Sequence, residues 1–153
     1  MGTDNTSDPD VSREVAAFIA ERDLFAHSLG IELAELKPGF SRTRMQLAPH
    51  MVNGHGLPHG AVIFALADFA FAAACNSHGR TAVALSMDIH FLSSPRVDAE
   101  LEAEAVEVRC GQRTGLYRIT VLDQDKNIVA ELHGMAYRKK ERFLGETAQE
   151  TEA

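Results

Sequence analysis

Between Arg44 and Arg80 the chain has only one Asp, Glu, Lys or Arg, and that is Asp68. No neighbour in sequence offers it a salt bridge, and an unpaired buried carboxylate costs of the order of several kcal/mol unless it is hydrogen-bonded or protonated. Cysteine is scarce as well. Cys75 and Cys110 make neither a CxxC motif nor a disulfide framework, so a reducing cytoplasm is the expected setting. Basic surplus is absent: 15 Lys and Arg stand against 22 Asp and Glu, for a formal net charge of -7, which argues against nucleic acid as a partner. The start, MGTDNTSDPD, lacks the basic and apolar regions of a secretory signal. The long apolar run, Ala61 to Cys75, falls short of the roughly 20 residues that cross a bilayer and carries Asp68 at its middle, so no membrane association is expected.

What is present reads as one α+β domain. At 153 residues with 45% hydrophobic content, the chain can bury about 70% of its unfolded surface in a single core. Residues 1–10 and 141–153 read as mobile polar tails around a domain at 11–140. Val11, Val15, Phe18, Ile19 and Phe25 recur at helical intervals, which predicts an amphipathic helix over 11–27 with Ser12 as N-cap and Gly30 as its stop. Lys37-Pro38-Gly39 then divides two short runs into a hairpin. A loop rich in Gly, Pro, Asn and His leads into a long apolar helix expected from Gly60 to Gly79. Beyond it, AVALSMDIHFL alternates, with Val83, Leu85, Met87, Ile89 and Phe91 on one face, and three further strands are expected near 99–109, 115–123 and 128–139. A helix apolar on nearly every side must be wrapped, and a curved antiparallel sheet around it does so.

The start of that helix offers free backbone N–H groups, and Gly60 can present its amide to a carbonyl oxygen with no side chain in the way. Asp68 follows about 12 Å further along the axis, at 1.5 Å per residue. One helix therefore cannot bring both groups to one carbonyl. If both act on the same bond, the donor and the carboxylate come from two protomers with their helices antiparallel across a two-fold axis.

NGHGLPHGAVIFALADFAFAAACNSHG followed by VALSMDIHFLSSP resembles the hotdog-fold acyl-CoA thioesterases of the PaaI type, linked to phenylacetate catabolism. His59-Gly60 followed by Leu66-Ala67-Asp68 is the most specific part, within a resemblance running from about residue 20 to Arg138. It implies a hotdog fold, a long central helix wrapped by a curved antiparallel sheet, assembled as a dimer of dimers. It implies hydrolysis of aromatic (phenylacetyl- or hydroxyphenylacetyl-CoA type) or medium-chain acyl-CoA, with the CoA thioester as substrate and no cofactor or metal. Carried over by position, the Gly60 amide would polarise the thioester carbonyl and Asp68 of the opposing subunit would be nucleophile or general base. Asn53 and His59 match loop positions that order the attacking water or the thioester. Ala61 stands where the family often has a second glycine. A non-catalytic acyl-CoA binding module and a hotdog dehydratase are the alternatives on the same fold.

The loop histidines His50, His55 and His59 fit no zinc spacing, and no cysteine or carboxylate joins them in the loop. Phe64, Phe69 and Phe71 read as core. Arg80, Arg96, Arg109, Arg113, Lys126 and Arg138 are all available for CoA phosphates, and the sequence does not choose among them.

Overall fold

The computed structural model describes residues 9–145. Two helices lead the chain, α1 (Pro9–Arg22) and α2 (Leu24–Leu29), followed by a hairpin of β1 (Glu32–Lys37) and β2 (Phe40–Gln46). A 3-10 turn at Pro49–Met51 and a loop precede α3 (Gly60–Asn76). Then come β3 (Arg80–Phe91), β4 (Glu100–Cys110), β5 (Thr114–Leu122) and β6 (Ile128–Arg142). All six strands form one antiparallel sheet in the order β1-β2-β4-β5-β6-β3. The parts of the expected tails at 1–8 and 146–153 lie outside the described residues.

The sheet closes around α3 because both partners are small-sided. Alternate residues of the strands, among them Ala103, Ala105, Ala130 and Ala136, are fully buried against Ala67, Ala70, Ala73 and Ala74 of the helix. Larger groups lock the contact: Phe71 meets Tyr117 edge-on at 5.7 Å between ring centres. Ser41 of β2 donates from its hydroxyl to the Ala70 carbonyl. The Pro38-Gly39 hairpin forms as expected. Gly39 sits at φ 73°, and a Cβ there would lie 3.1 Å from Glu107, so conformation and space both demand glycine.

Several expectations need correction. The first helix is broken at Asp23, whose carboxylate accepts from the Ala26 amide and starts α2 as an N-cap. Gly30 ends α2 at φ 70°, as expected. Ser12 is no cap; it lies buried inside α1 and donates to the Ser77 carbonyl at 2.7 Å. Of the expected apolar stripe, Val15 and Ile19 are buried, whereas Phe25 is exposed. α3 stops at Asn76, before Gly79, because Asn76 turns its side chain onto the backbone of Ala82. The boundaries at 10/11 and 140/141 fall within α1 and β6, and Phe143 packs edge-on against Phe18.

β3 carries two more corrections. Its register against β6 shifts between Ala84 and Ser86, so Leu85 is an extra residue. Cross-strand partners share a face, so Met87, Ile89 and Phe91, opposite Gly134, Leu132 and Ala130, point to the helix side, whereas Val83, opposite Tyr137, points away. The expected single face is split by the bulge. Nor is α3 wrapped all round: Ala61 is exposed and Phe64, Ala65, Asp68 and Ala72 are half-exposed. At about 100° per residue, Ala61, Ala65, Asp68 and Ala72 fall within an arc of roughly 60°, one open stripe down the helix.

Candidate active site

The N-terminal turn of α3 is capped by His59 with a single opening. The His59 Nδ1 accepts from the Ala61 amide at 3.0 Å, and its carbonyl accepts from the amides of Val62 at 3.1 Å and Ile63 at 3.4 Å. That leaves the Gly60 amide, which has no hydrogen-bond partner among the described residues. A free N–H at a helix start carries the positive end of the dipole and suits a developing negative charge. The Phe91 ring lies over Gly60, 3.0 Å from where a Cβ would sit, so any larger residue meets it. Glycine keeps the amide approachable.

The loop before the helix is a compact hairpin. Val52 bridges Pro58, and the Asn53 amide donates to the Leu57 carbonyl at 2.7 Å. The Asn53 side-chain oxygen accepts from the amides of His55 at 2.9 Å and Leu57 at 3.2 Å, an Asx turn. Its Nδ2 has no partner among the described residues. His59 projects an exposed ring; with Nδ1 accepting, the neutral tautomer carries its proton on Nε2.

Asp68 sits midway down the open stripe of α3, half-buried, with no hydrogen bond or ion pair from any described residue. Burial holds its pKa above the ordinary carboxylate value, and the like charge of Asp23 pushes it further. The apolar periodicity alone places Asp23 inside a helix. An Asp followed three residues later by an amide it can cap is the available signal for its real place. Phe91 shows in the sequence only as one face of a strand, and nothing local tells that it reaches Gly60.

Within one chain, Gly60, His59 and Asn53 gather at one end of α3, and Asp68 stands about 12 Å along the axis from them. A cleft of about 350 Å³ opens elsewhere, lined by residues including Ile19, Ala26, Leu33 and Phe69, and includes neither Gly60 nor Asp68. Phe69 and Phe71 are core residues, and Phe64 packs partly buried beside them. No described helix is long and apolar enough to cross a membrane.

A long helix embraced by an antiparallel sheet, with an unpartnered amide at its start and an isolated carboxylate along it, defines a hotdog-fold thioester hydrolase. The chain belongs to the thioesterase superfamily, whose family model matches residues 55–130, and within it to the PaaI-type acyl-CoA thioesterases. It is 38% identical to the acyl-coenzyme A thioesterase PaaI of Escherichia coli K12 over 126 residues, 82% of this chain and 90% of that protein. The structure of the E. coli PaaI protein, from the phenylacetic acid degradation operon, superposes with a TM-score of 0.83 at 36% identity, covering 86% of this chain and 95% of that one. A mutant of the Thermus thermophilus phenylacetic acid degradation protein PaaI gives 0.72 at 36% identity, over 75% and 98% of the two chains. A Streptococcus mutans UA159 protein with acetyl-CoA bound gives 0.70 at 25% identity, over 73% and 90%.

Proposed function

We propose that the protein hydrolyses aromatic or medium-chain acyl-CoA thioesters at sites shared between two copies of the chain, with Gly60 of one copy and Asp68 of the other acting on one carbonyl. The observation that carries this reading is the pair of unpartnered groups on α3. The Gly60 amide and the Asp68 carboxylate are both left without partners among the described residues. They are too far apart to meet in one chain.

The chemistry follows from their character. The Gly60 N–H stabilises the oxygen that gains charge as the thioester carbonyl is attacked. Asp68, its pKa raised by burial, is a stronger base and nucleophile than a solvated carboxylate. It either takes a proton from water as that water attacks, or attacks the carbonyl itself to form an anhydride that water then opens. In both routes the C–S bond breaks, CoA leaves as thiolate and is protonated, and water supplies the new oxygen of the acid. On this reading the Asn53 side chain, in the loop before α3, and the exposed His59 ring beside Gly60 would orient water and thioester. Ala61 places its methyl on the open stripe beside the same amide, where it bears on acyl fit.

The sheet edges support the shared site. β1 is short, bulged between Leu33 and Glu35, and carries Glu32, Glu35 and Lys37, features that discourage pairing. On its side of the sheet Arg42 pairs with Glu35, Glu102 and Glu104. β3 is the longer edge, and around it Val83, Leu85, Phe91 and Leu92 are exposed. Antiparallel pairing of β3 with its copy would cover them, lay the two open helix stripes together and run the helices in opposite directions.

The test is thiol release from phenylacetyl-, hydroxyphenylacetyl-, benzoyl- and hexanoyl-CoA by wild type and Asp68→Ala side by side. Hydrolysis by wild type that disappears in the variant supports the reading and ranks the acyl groups. Equal rates in the two proteins would remove Asp68 from the chemistry. Thermal stabilisation by CoA esters without turnover would favour a binding module.

A further inference from the structure

We propose that the far end of α3 carries a divalent metal site of zinc type, built from His78, Glu107 and Cys110. One ligand atom from each of the three lies within 4.8 Å of the others, and all three are half-buried. Imidazole nitrogen, carboxylate oxygen and thiolate sulfur together form a donor set that zinc takes in tetrahedral geometry. Their union is not visible in the sequence: His78 lies in the turn after α3, and the other two lie on β4.

The backbone shows how they come together. Residues three apart on a regular strand point to opposite faces, which would separate Glu107 from Cys110. The β4–β5 register shifts between Glu107 and Arg109, so Val108 is an extra residue. Glu107 then pairs with Tyr117, and Cys110 with Gly115, which returns both ligands to the helix-facing side. Gly115 leaves the space: a Cβ there would lie 3.0 Å from the Tyr117 ring.

An outer layer is also in place. The Tyr117 hydroxyl donates to Glu107 Oε2 at 3.0 Å. The Glu107 backbone amide is fixed by the Gly39 carbonyl at 2.8 Å. His78 Nε2 and Glu107 Oε2 lie 2.5 Å apart. Ligand atoms around tetrahedral zinc stand about 3.3–3.8 Å from one another, as bond lengths of about 2.0–2.3 Å require. Metal entry therefore opens the His78–Glu107 contact. The Cys110 thiol proton leaves to solvent, His78 binds as neutral imidazole through Nε2 with its ring proton on Nδ1, and no electron is transferred. Three protein ligands leave a fourth position for water. The bound ion would clamp the turn after α3 to the β4–β5 pair, at the opposite end of the helix from Gly60.

The test uses the full chain, reduced and stripped with chelator, titrated with Co²⁺ as the probe. The expected result is a thiolate-to-cobalt charge-transfer band that saturates near one equivalent per chain, is displaced by Zn²⁺, and is accompanied by a higher Tm. Cys110→Ser should abolish the band and Cys75→Ala should keep it. Tyr117→Phe and His78→Gln should each weaken binding about tenfold or more. His78→Gln, at the edge of the site, keeps the test readable if Cys110→Ser does not fold. A wild-type protein with no band, a band that survives Cys110→Ser, or unchanged affinity in His78→Gln would overturn the proposal. None of these readouts depends on thioesterase activity.

Discussion

The two ends of α3 are built in opposite ways. At the C-terminal end, Asn76 donates to the carbonyls of Ala72 and Ala82 and accepts from the Ala82 amide. Ser77 donates to the Ala74 carbonyl, accepts from the Gly39 amide, and receives Ser12 on its own carbonyl. At the N-terminal end His59 meets the amides of Ala61, Val62 and Ile63 but not that of Gly60. The amide is left open, and Asp68 further along is left without a partner. Buried polar groups that are paired add stability, whereas the half-buried Gly60 amide and Asp68 carboxylate are the groups the proposed chemistry would use. The two ends should therefore respond differently to mutation, one in rate and the other in stability.

The largest effect is expected at Asp68. Asp68→Ala should lower kcat by at least about a hundredfold, the scale of a lost general base. Stability should move the other way. A carboxylate whose pKa is raised on folding destabilises the native state as pH rises through its unfolded value near about 3.9 and keeps that cost above its folded value. Asp68→Asn should therefore raise Tm at pH 7, with the gain fading as pH falls below about 4. A lower Tm at pH 7 would show that Asp68 is a structural group after all.

Next is the amide itself. Gly60 is the first helical residue and His59 holds φ -70° and ψ 132°, a conformation that proline tolerates in the residue before it. Gly60→Pro deletes the N–H, and a Phe91→Leu background makes room for the ring. Relative to Phe91→Leu alone, kcat should fall about a hundredfold with little change in Tm. Asn76→Ala, at the paired end, should do the reverse: about 2–3 kcal/mol of stability lost, read by urea unfolding, with kcat per folded molecule unchanged. Ser12→Ala is the smallest, about 1 kcal/mol, again without effect on kcat.

The sequence shows some of this contrast and conceals the rest. Periodicity locates α3 and the strands because each reflects a local pattern of 3.6 or 2 residues. Asp68 stands out because a lone charge in an apolar run has no local remedy, and Gly60 because a helix start is itself a local feature. Three other features are long-range. The bulges at Leu85 and Val108 are set by pairing across strands, so an alternating run is read as one face when it is two. Ser12 is taken for a cap because its bond to Ser77 spans 65 residues. His78, Glu107 and Cys110 look like unrelated surface residues until β4 is folded against the turn after α3. The break at Asp23 is the exception, a local signal hidden by the apolar residues on either side of it.

The claim that Gly60 and Asp68 act together from different copies is tested most directly by complementation. Asp68→Ala and Gly60→Pro, the latter with Phe91→Leu, should each be inactive alone, and they are co-expressed with different tags so that mixed dimers can be isolated. Each mixed dimer holds one site with both lesions and one with neither. An equal random mixture should thus recover about a quarter of wild-type activity, and purified mixed dimers about half. Mixed dimers that form and remain inactive would contradict the shared site, and with it the catalytic explanation of the two unpartnered groups of α3.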